Sequence, residues 1–357
     1  MVDTKNVENK FIQFCVIAEI EGNVNADEVV GQRSTIKKFV SKEGIYPFVS
    51  SRAIKKGIRA ALEEKGYKID PFHTRYGDQR GDSGNFVEYV DQDLFGYMIP
   101  ADTPVRRKSP VEISYLVSIF PVPITIEFAG RFPKGLDPQP FEIEQAKFVG
   151  KFYGNIYNYV GIIHEKEMNE EMKKELKVKE KSETRQPYYE VEDRIKRLKD
   201  LLEIILLGNF KLPRSTNQLN QGSYRYVIVS FMKSLKPLPA FVTVRYQKER
   251  EYEIVKREEN RRVIERVIEK SSEGYILDLE KIEEFVRFLE DGEEIFVVDF
   301  VGNLSSYQPR SNKKLNIIKP SEVKSEIIEK LQERINMEKL DYYLNYYRDF
   351  GPQETEN

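Results

Sequence analysis

Hydrophobic positions change their period several times along the chain, and each change predicts an element. Residues 11–21 (FIQFCVIAEIE) are apolar β-formers almost throughout and end at the turn-forming Gly22-Asn23-Val24-Asn25, which predicts a central strand. Residues 35–40 and 45–49 predict a hairpin around Ser41-Lys42-Glu43-Gly44. Ser50-Ser51 then offers an N-cap for a helix ending near Gly66. Along that helix Ile54, Ile58, Ala61 and Leu62 recur at helical spacing, and Arg52, Lys55, Lys56 and Arg59 fall on the opposite side. Residues 111–128 read as strand broken by Pro121 and Pro123, and residues 148–163 read as strand again. An amphipathic helix over 191–207, stopped by Gly208, and a strand over 224–232 complete the series.

With the excursions removed, residues 11–232 run strand, helix, strand, strand, helix, strand. This is the order of the ferredoxin-like fold shared by RNA-recognition modules and places the chain in the α+β class. Residues 70–107 are rich in Gly and Asp, and residues 165–187 are a mixed charge run with almost no apolar positions, so the second predicts a solvated, mobile insertion. Beyond residue 235 the pattern predicts a strand near 241–246, a charged helix, a helix near 277–289, a strand over 295–301 and a long terminal helix from Ser321.

Composition narrows the function classes. Of 357 residues, 40% are hydrophobic and 32% charged, and the most apolar run, 201–207, is interrupted by Glu203, so no membrane span is predicted. The N-terminus has no apolar signal core and Cys15 has no disulfide partner, which predicts a reducing cytoplasm. A net charge of -2 excludes a uniform polycation, yet between Gly31 and Arg59 eight cations stand against the single acid Glu43. Any nucleic-acid binding is therefore local to this patch.

Catalytic signatures are sparse. There is no phosphate loop ending Gly-Lys-Ser/Thr, and His164-Glu165-Lys166-Glu167-Met168 lacks the second His of a zinc helix. His73 and His164 are expected at the surface. Asp70, Asp78, Asp82, Asp91 and Asp93 either gather a divalent cation or keep a Gly-rich loop solvated, and their spread favours solvation. Asp27, beside the basic patch, leaves a metal-dependent ribonuclease open as an alternative. No cofactor is implied and no catalytic role is expected.

Binding features converge instead on the first helix. A charged helical face is often only solvated, but Ser50 and Ser51 at a helix start add hydroxyls and N–H groups suited to phosphate, and Lys37 and Lys38 arrive from the adjoining segment. The loop GNFKLPRSTNQLNQG (208–222) offers Lys211, Arg214, Ser215, Thr216 and Asn217 as donors, with a plain connection as the alternative. In the turn-rich loop RFPKGLDPQ (131–139), Phe132 and Pro133 either wedge against a base or pack the loop down. Gly150-Lys151-Phe152-Tyr153-Gly154 lies where RNA-recognition modules carry stacking aromatics, although core and edge packing is the preferred reading.

YPFVSSRAIKKGIR (46–59), DLFGYMIPADTPVRRKSPVEISYLVSI (93–119) and KLPRSTNQ (211–218) together resemble the DevR-type CRISPR autoregulators, backbone subunits of type I Cascade complexes in the RAMP superfamily. The resemblance covers about residues 11–235. It implies a modified RNA-recognition palm over 11–235, with fingers at about 67–110, a thumb at about 128–148 and the charged insertion at about 164–188. An α/β extension over 236–357 packs on this palm. Further implications are a crRNA guide bound without regard to sequence, head-to-tail copies of the chain, other Cascade subunits as partners, and target DNA reached through the guide. The RNA path would be lined by Ser50, Ser51, Arg52, Lys55, Lys56 and Arg59, with Asn23, Asn25, Arg106, Arg107, Phe132 and Arg214 beside it. A free-standing nucleic-acid-binding regulator is a further alternative.

Overall fold

The computed structural model describes residues 8–23, 26–100, 104–131, 134–135, 137, 139–175, 186–187, 191–212, 222–259, 262–304, 307 and 314–338; at some of these, including 26–27 and 248–273, only the backbone is described. Strand β1 (Phe11–Gly22) is followed by β2 (Ala26–Val30), β3 (Arg33–Ile36), β4 (Lys38–Ser41), β5 (Gly44–Val49) and helix α1 (Ser51–Glu64). A first excursion holds β6 (Thr74–Tyr76), β7 (Gln79–Gly81), α2 (Val90–Phe95), β8 (Tyr97–Ile99) and β9 (Val105–Arg107). The chain returns through β10 (Val111–Ile113), β11 (Leu116–Ser118) and β12 (Thr125–Arg131) to the long β13 (Gln139–Tyr157). A second excursion carries β14 (Ile162–Ile163), α3 (Glu170–Glu175) and β15 (Gln186–Pro187). Then come α4 (Val191–Leu207), β16 (Ser223–Met232), α5 (Leu238–Phe241), β17 (Val244–Glu259), β18 (Arg262–Leu277), α6 (Leu279–Val286), β19 (Glu294–Asp299), β20 (Leu315–Ile318) and α7 (Leu331–Arg334).

These elements form a mixed α/β fold around one large sheet whose order is β20-β19-β16-β1-β13-β11-β5-β4, antiparallel at every step of that path except β19–β20. β1 lies mid-sheet between β13 and β16, as its continuous apolar run predicted, because a strand buried on both faces has no polar alternate. Ile12, Phe14, Val16, Ala18 and Ile20 pack beneath α1 and α4. Phe11, Cys15 and Ile17 face the other way, against Leu238 and the apolar side of α6, Leu279, Ile282, Phe285 and Val286. That burial pushes the Cys15 thiol up to about 12, so it behaves as a small apolar side chain. Among the described residues no helix is long and apolar enough to cross a membrane.

Three sequence expectations are corrected. The charged helix expected after residue 246 is instead the hairpin β17–β18, sixteen residues on each strand. The charges that imitate a helical surface are cross-strand partners, Glu251 opposite Lys270, Lys256 opposite Glu265 and Glu259 opposite Arg262. The run at 165–187 is not simply solvated where it is described. Met168, just before α3, and Met172 within it are buried with Phe86, Tyr97, Ile99 and Ile163, and Glu167 is fully buried. Residues 176–185 lie outside the described residues. The terminal helix from Ser321 is broken within the described residues: Val323, Ile327, Leu331 and Ile335 keep helical spacing and are buried, but the backbone passes from a 3-10 turn through a π turn before α7.

Candidate nucleic-acid interface

Helix α1 is held by its apolar stripe, Ala53, Ile54, Gly57, Ile58, Ala61 and Leu62, all buried. Ser50 is the N-cap: its Oγ accepts from the Ala53 amide at 3.3 Å, and its carbonyl accepts from Ile54 at 3.1 Å. The Ser51 and Arg52 amides have no acceptor inside the helix. No acidic residue occupies the first turn, so the positive end of the helix dipole carries no counter-charge there and Arg52 adds to it. Arg52 and Lys56, four residues apart, project into solvent.

The other two α1 cations face elsewhere. Lys55 and Arg59 lie over the Phe95 ring, 5.1 and 5.0 Å from its centroid, and Arg59 Nε donates to Asp91 Oδ2 at 2.8 Å. Burial, with Arg59 as its neighbour, lowers the Lys55 pKa to about 8, partly offset by Glu112. Arg59 therefore anchors the excursion that carries α2, and Lys55 stands half-buried at the seam between α1 and that excursion.

The loop after α4 lies directly against α1. A Cβ on Gly57 would meet the Lys211 carbonyl oxygen at 2.3 Å and the Phe210 ring at 2.9 Å, so only glycine permits this approach. The backbone of the exposed Lys211 is thereby seated on the Gly57 turn of α1, joining two segments 154 residues apart in sequence. Glu144 organises the other flank: its carboxylate accepts from Lys38 Nζ at 2.6 Å and the Ile36 amide at 3.2 Å, and its carbonyl accepts from the Asn23 amide group at 2.6 Å. Asn23 is buried by this bond, Lys38 is paired, and Lys37 is half-exposed.

The family model for the CRISPR-associated negative auto-regulator DevR/Csa2 matches residues 23–253, nearly two thirds of the chain. The chain belongs to this family. No curated protein sequence matches it. Among solved structures it is similar to a chain of a CRISPR RNA-guided surveillance complex, with a TM-score of 0.50 at 13% identity over 90% of this chain and 98% of that one. A chain of a pre-nicking CRISPR RNA-guided surveillance complex is similar with a TM-score of 0.48 at 10% identity, covering 88% and 98%.

In this DevR/Csa2 member Arg107 does not fit the nucleic-acid path expected from sequence. Successive strand residues alternate in direction, so on β9 Arg106 is exposed while Arg107 is fully buried. Arg107 donates to Asp93 Oδ1 at 2.6 Å, to Glu167 Oε2 at 3.2 Å and to the Ile162 carbonyl at 2.6 Å. Asp93 also accepts from Arg197 of α4 at 2.9 Å and from the Gly161 amide, so it ties the excursion to the core. The expectation that the excursion's acids only solvate it fails for Asp91 and Asp93, which are buried because every residue of α2 is. Asp70 orders the loop, accepting from the Phe72 and Ser83 amides. His73 is exposed, and His164 Nδ1 caps a short 3-10 turn through the Lys166 amide.

Asn25, Phe132, Arg214, Ser215 and Asn217, with Pro133 and Thr216, lie outside the described residues, as does the Asp27 side chain. Sequence reasoning missed Gly57 and Glu144, and it read Asp93 as a loop acid rather than as the partner of two buried arginines. Gly57 had a signal, since glycine within a helix costs about 1 kcal/mol relative to alanine and needs a packing reason.

Proposed function

We propose that this protein is the guide-binding backbone subunit of a type I CRISPR surveillance (Cascade) complex, holding crRNA by its sugar-phosphate backbone while copies line up head to tail along it. The observation that carries the reading is the start of α1: a capped helix N-terminus with no acid in its first turn, exposed Arg52 and Lys56 above it, and the Lys211 loop seated on Gly57. Phosphates placed there gain N–H donors and cations together, a contact that positions an RNA strand without reading its bases. Family membership supplies the CRISPR context.

The strand order β16-β1-β13-β11, with α1 and α4 packed on one face, supports a ferredoxin-like, RNA-recognition palm. The hairpin β12–β13, with Phe128 69% exposed, supports a thumb that interrupts the guide's stacking. In this reading bases between thumbs pair with target DNA, so specificity belongs to the guide. The chain works in the cytoplasm beside other Cascade subunits and performs no chemistry itself.

Single-stranded RNA titrated against the protein at several salt concentrations tests this. Replacing two phosphate contacts by Arg52→Ala with Lys56→Ala is expected to weaken binding and to flatten the salt slope by about 1.4, from roughly 0.7 per phosphate. Stability should move by no more than about 0.5 kcal/mol, as both side chains are exposed. Unchanged affinity and slope in this variant would overturn the placement.

A further inference from the structure

Among the described residues, α5 and α6 pack on the sheet face opposite α1, over β1, β16 and β19. On β13 the Lys151 ammonium marks the boundary, donating to the carbonyls of Pro239 and Val242 at 3.0 Å each. Beyond it, toward the edge strand β4, the same face carries a column of aromatic rings. Phe39 stacks on Phe48 with centroids 4.4 Å apart and planes 16° apart, and Phe48 stacks on Tyr115 at 5.3 Å and 6°. The outer rings stay open to solvent, Phe39 at 47% and Tyr115 at 45% exposed, and Tyr153 on neighbouring β13 is 41% exposed. Strand alternation fixes the face: Val49 and Leu116, next in sequence to Phe48 and Tyr115, are buried beneath the helices.

Parallel rings whose outer members are partly exposed present π surface on which another planar ring system stacks. Exposed Phe39 and Val40 on an edge strand are otherwise a liability, since such edges recruit other chains. The surrounding charge favours an anionic strand. Lys37 and Lys42 flank Phe39 in the chain, and the one acid of the hairpin, Glu43, is engaged by the Tyr46 hydroxyl at 3.1 Å. Phe48 is two residues before Ser50, at most about 7 Å along the chain, so the column and the start of α1 are neighbours.

We propose that Phe39, Phe48 and Tyr115 form a stacking platform for unpaired nucleobases of the strand whose phosphates lie at the start of α1. This rests on the RNA-binding reading above. The platform takes any base, because every base has a π face, and it contributes affinity without salt dependence.

The test uses the full-length protein and a single-stranded RNA carrying 2-aminopurine, whose fluorescence falls when it stacks. Phe39→Ala with Tyr115→Ala is expected to abolish most of the quenching and to weaken binding about tenfold, the scale of one lost base–aromatic stack, with the salt slope unchanged. Phe39→Tyr, which keeps the ring, should retain both signals and shows that loss in the alanine variant is not misfolding. If wild type binds RNA, Arg52→Ala with Lys56→Ala weakens it, and the aromatic variant binds and quenches like wild type, the platform is overturned while the RNA-binding reading stands. If the aromatic variant instead lowers the mass of the RNA-free protein, the column is a protein–protein contact and the proposal fails. If wild type binds no RNA, both readings fall.

Discussion

Two groups of cations in this molecule are chemically alike and physically opposite. At the start of α1, Arg52 and Lys56 are exposed above a helix end that lacks an acid. In the seam between the excursion and the core, Arg107 and Arg197 are buried on Asp93, with Glu167 as a second acid for Arg107. The first group is poised for a ligand and contributes little to stability, since exposed charges are well solvated. The second has given up its water and depends on its partners, so removing one leaves an uncompensated buried charge. Partnership and burial, rather than residue type, decide which arginine can hold a phosphate.

The widest contrast comes from Asp93→Ala, which removes the carboxylate shared by two buried arginines and leaves Arg107 with Glu167 alone. Destabilisation of about 3–5 kcal/mol is expected in chemical denaturation, whereas a variant as stable as wild type would mean that the seam tolerates free cations and the distinction is false. An intermediate effect is expected of Ser50→Ala. The lost N-cap should cost about 1 kcal/mol, a response between those of the seam and of the exposed cations, readable as a shift in the denaturant midpoint.

The pH dependence of binding sharpens the boundary between the groups, because Lys55 belongs partly to each. In the free protein its pKa is lowered to about 8, so half of it has lost its proton at that pH, and a phosphate beside it must restore the charge. RNA affinity is therefore expected to be flat well below pH 8, to start falling as pH approaches 8 and to fall above it by at most about tenfold per unit, while Lys55→Arg stays flat. A wild-type profile flat to pH 10 would remove Lys55 from the interface. The stability linkage has the opposite sign. Unfolding raises the Lys55 pKa toward its ordinary value of about 10.5, so the unfolded chain binds more protons between about pH 8 and 10.5, and this group's contribution to stability improves as pH rises through that window.

Much of the central layer was legible in the sequence. The apolar run at 11–21 could only be a strand buried on both faces, and the stripe of Ile54, Ile58 and Leu62 fixed which side of α1 faces inward. The start of α1 was legible for the same reason, since Ser50 and the outward cations follow from the helical period. Three-dimensional partnership was not. Nothing in Arg106-Arg107 distinguishes the exposed arginine from the buried one until the strand direction of β9 is known. Asp91 and Asp93 resemble loop solvators until α2 is seen to be buried on every side. The β17–β18 hairpin was hidden because dense charge masks a period of two, and opposite charges placed across two strands resemble opposite charges along one helix.

Exposed cations of α1 that hold a guide, as proposed, should let copies of the protein assemble along it. The most direct test is the mass of complexes formed on single-stranded RNAs of increasing length at moderate salt, with the RNA recovered and sized afterwards. Stepwise addition of protein copies with RNA length, intact RNA, and loss of assembly in the Arg52→Ala, Lys56→Ala double variant are predicted. One copy bound whatever the length, or RNA shortened by the protein, would contradict the account.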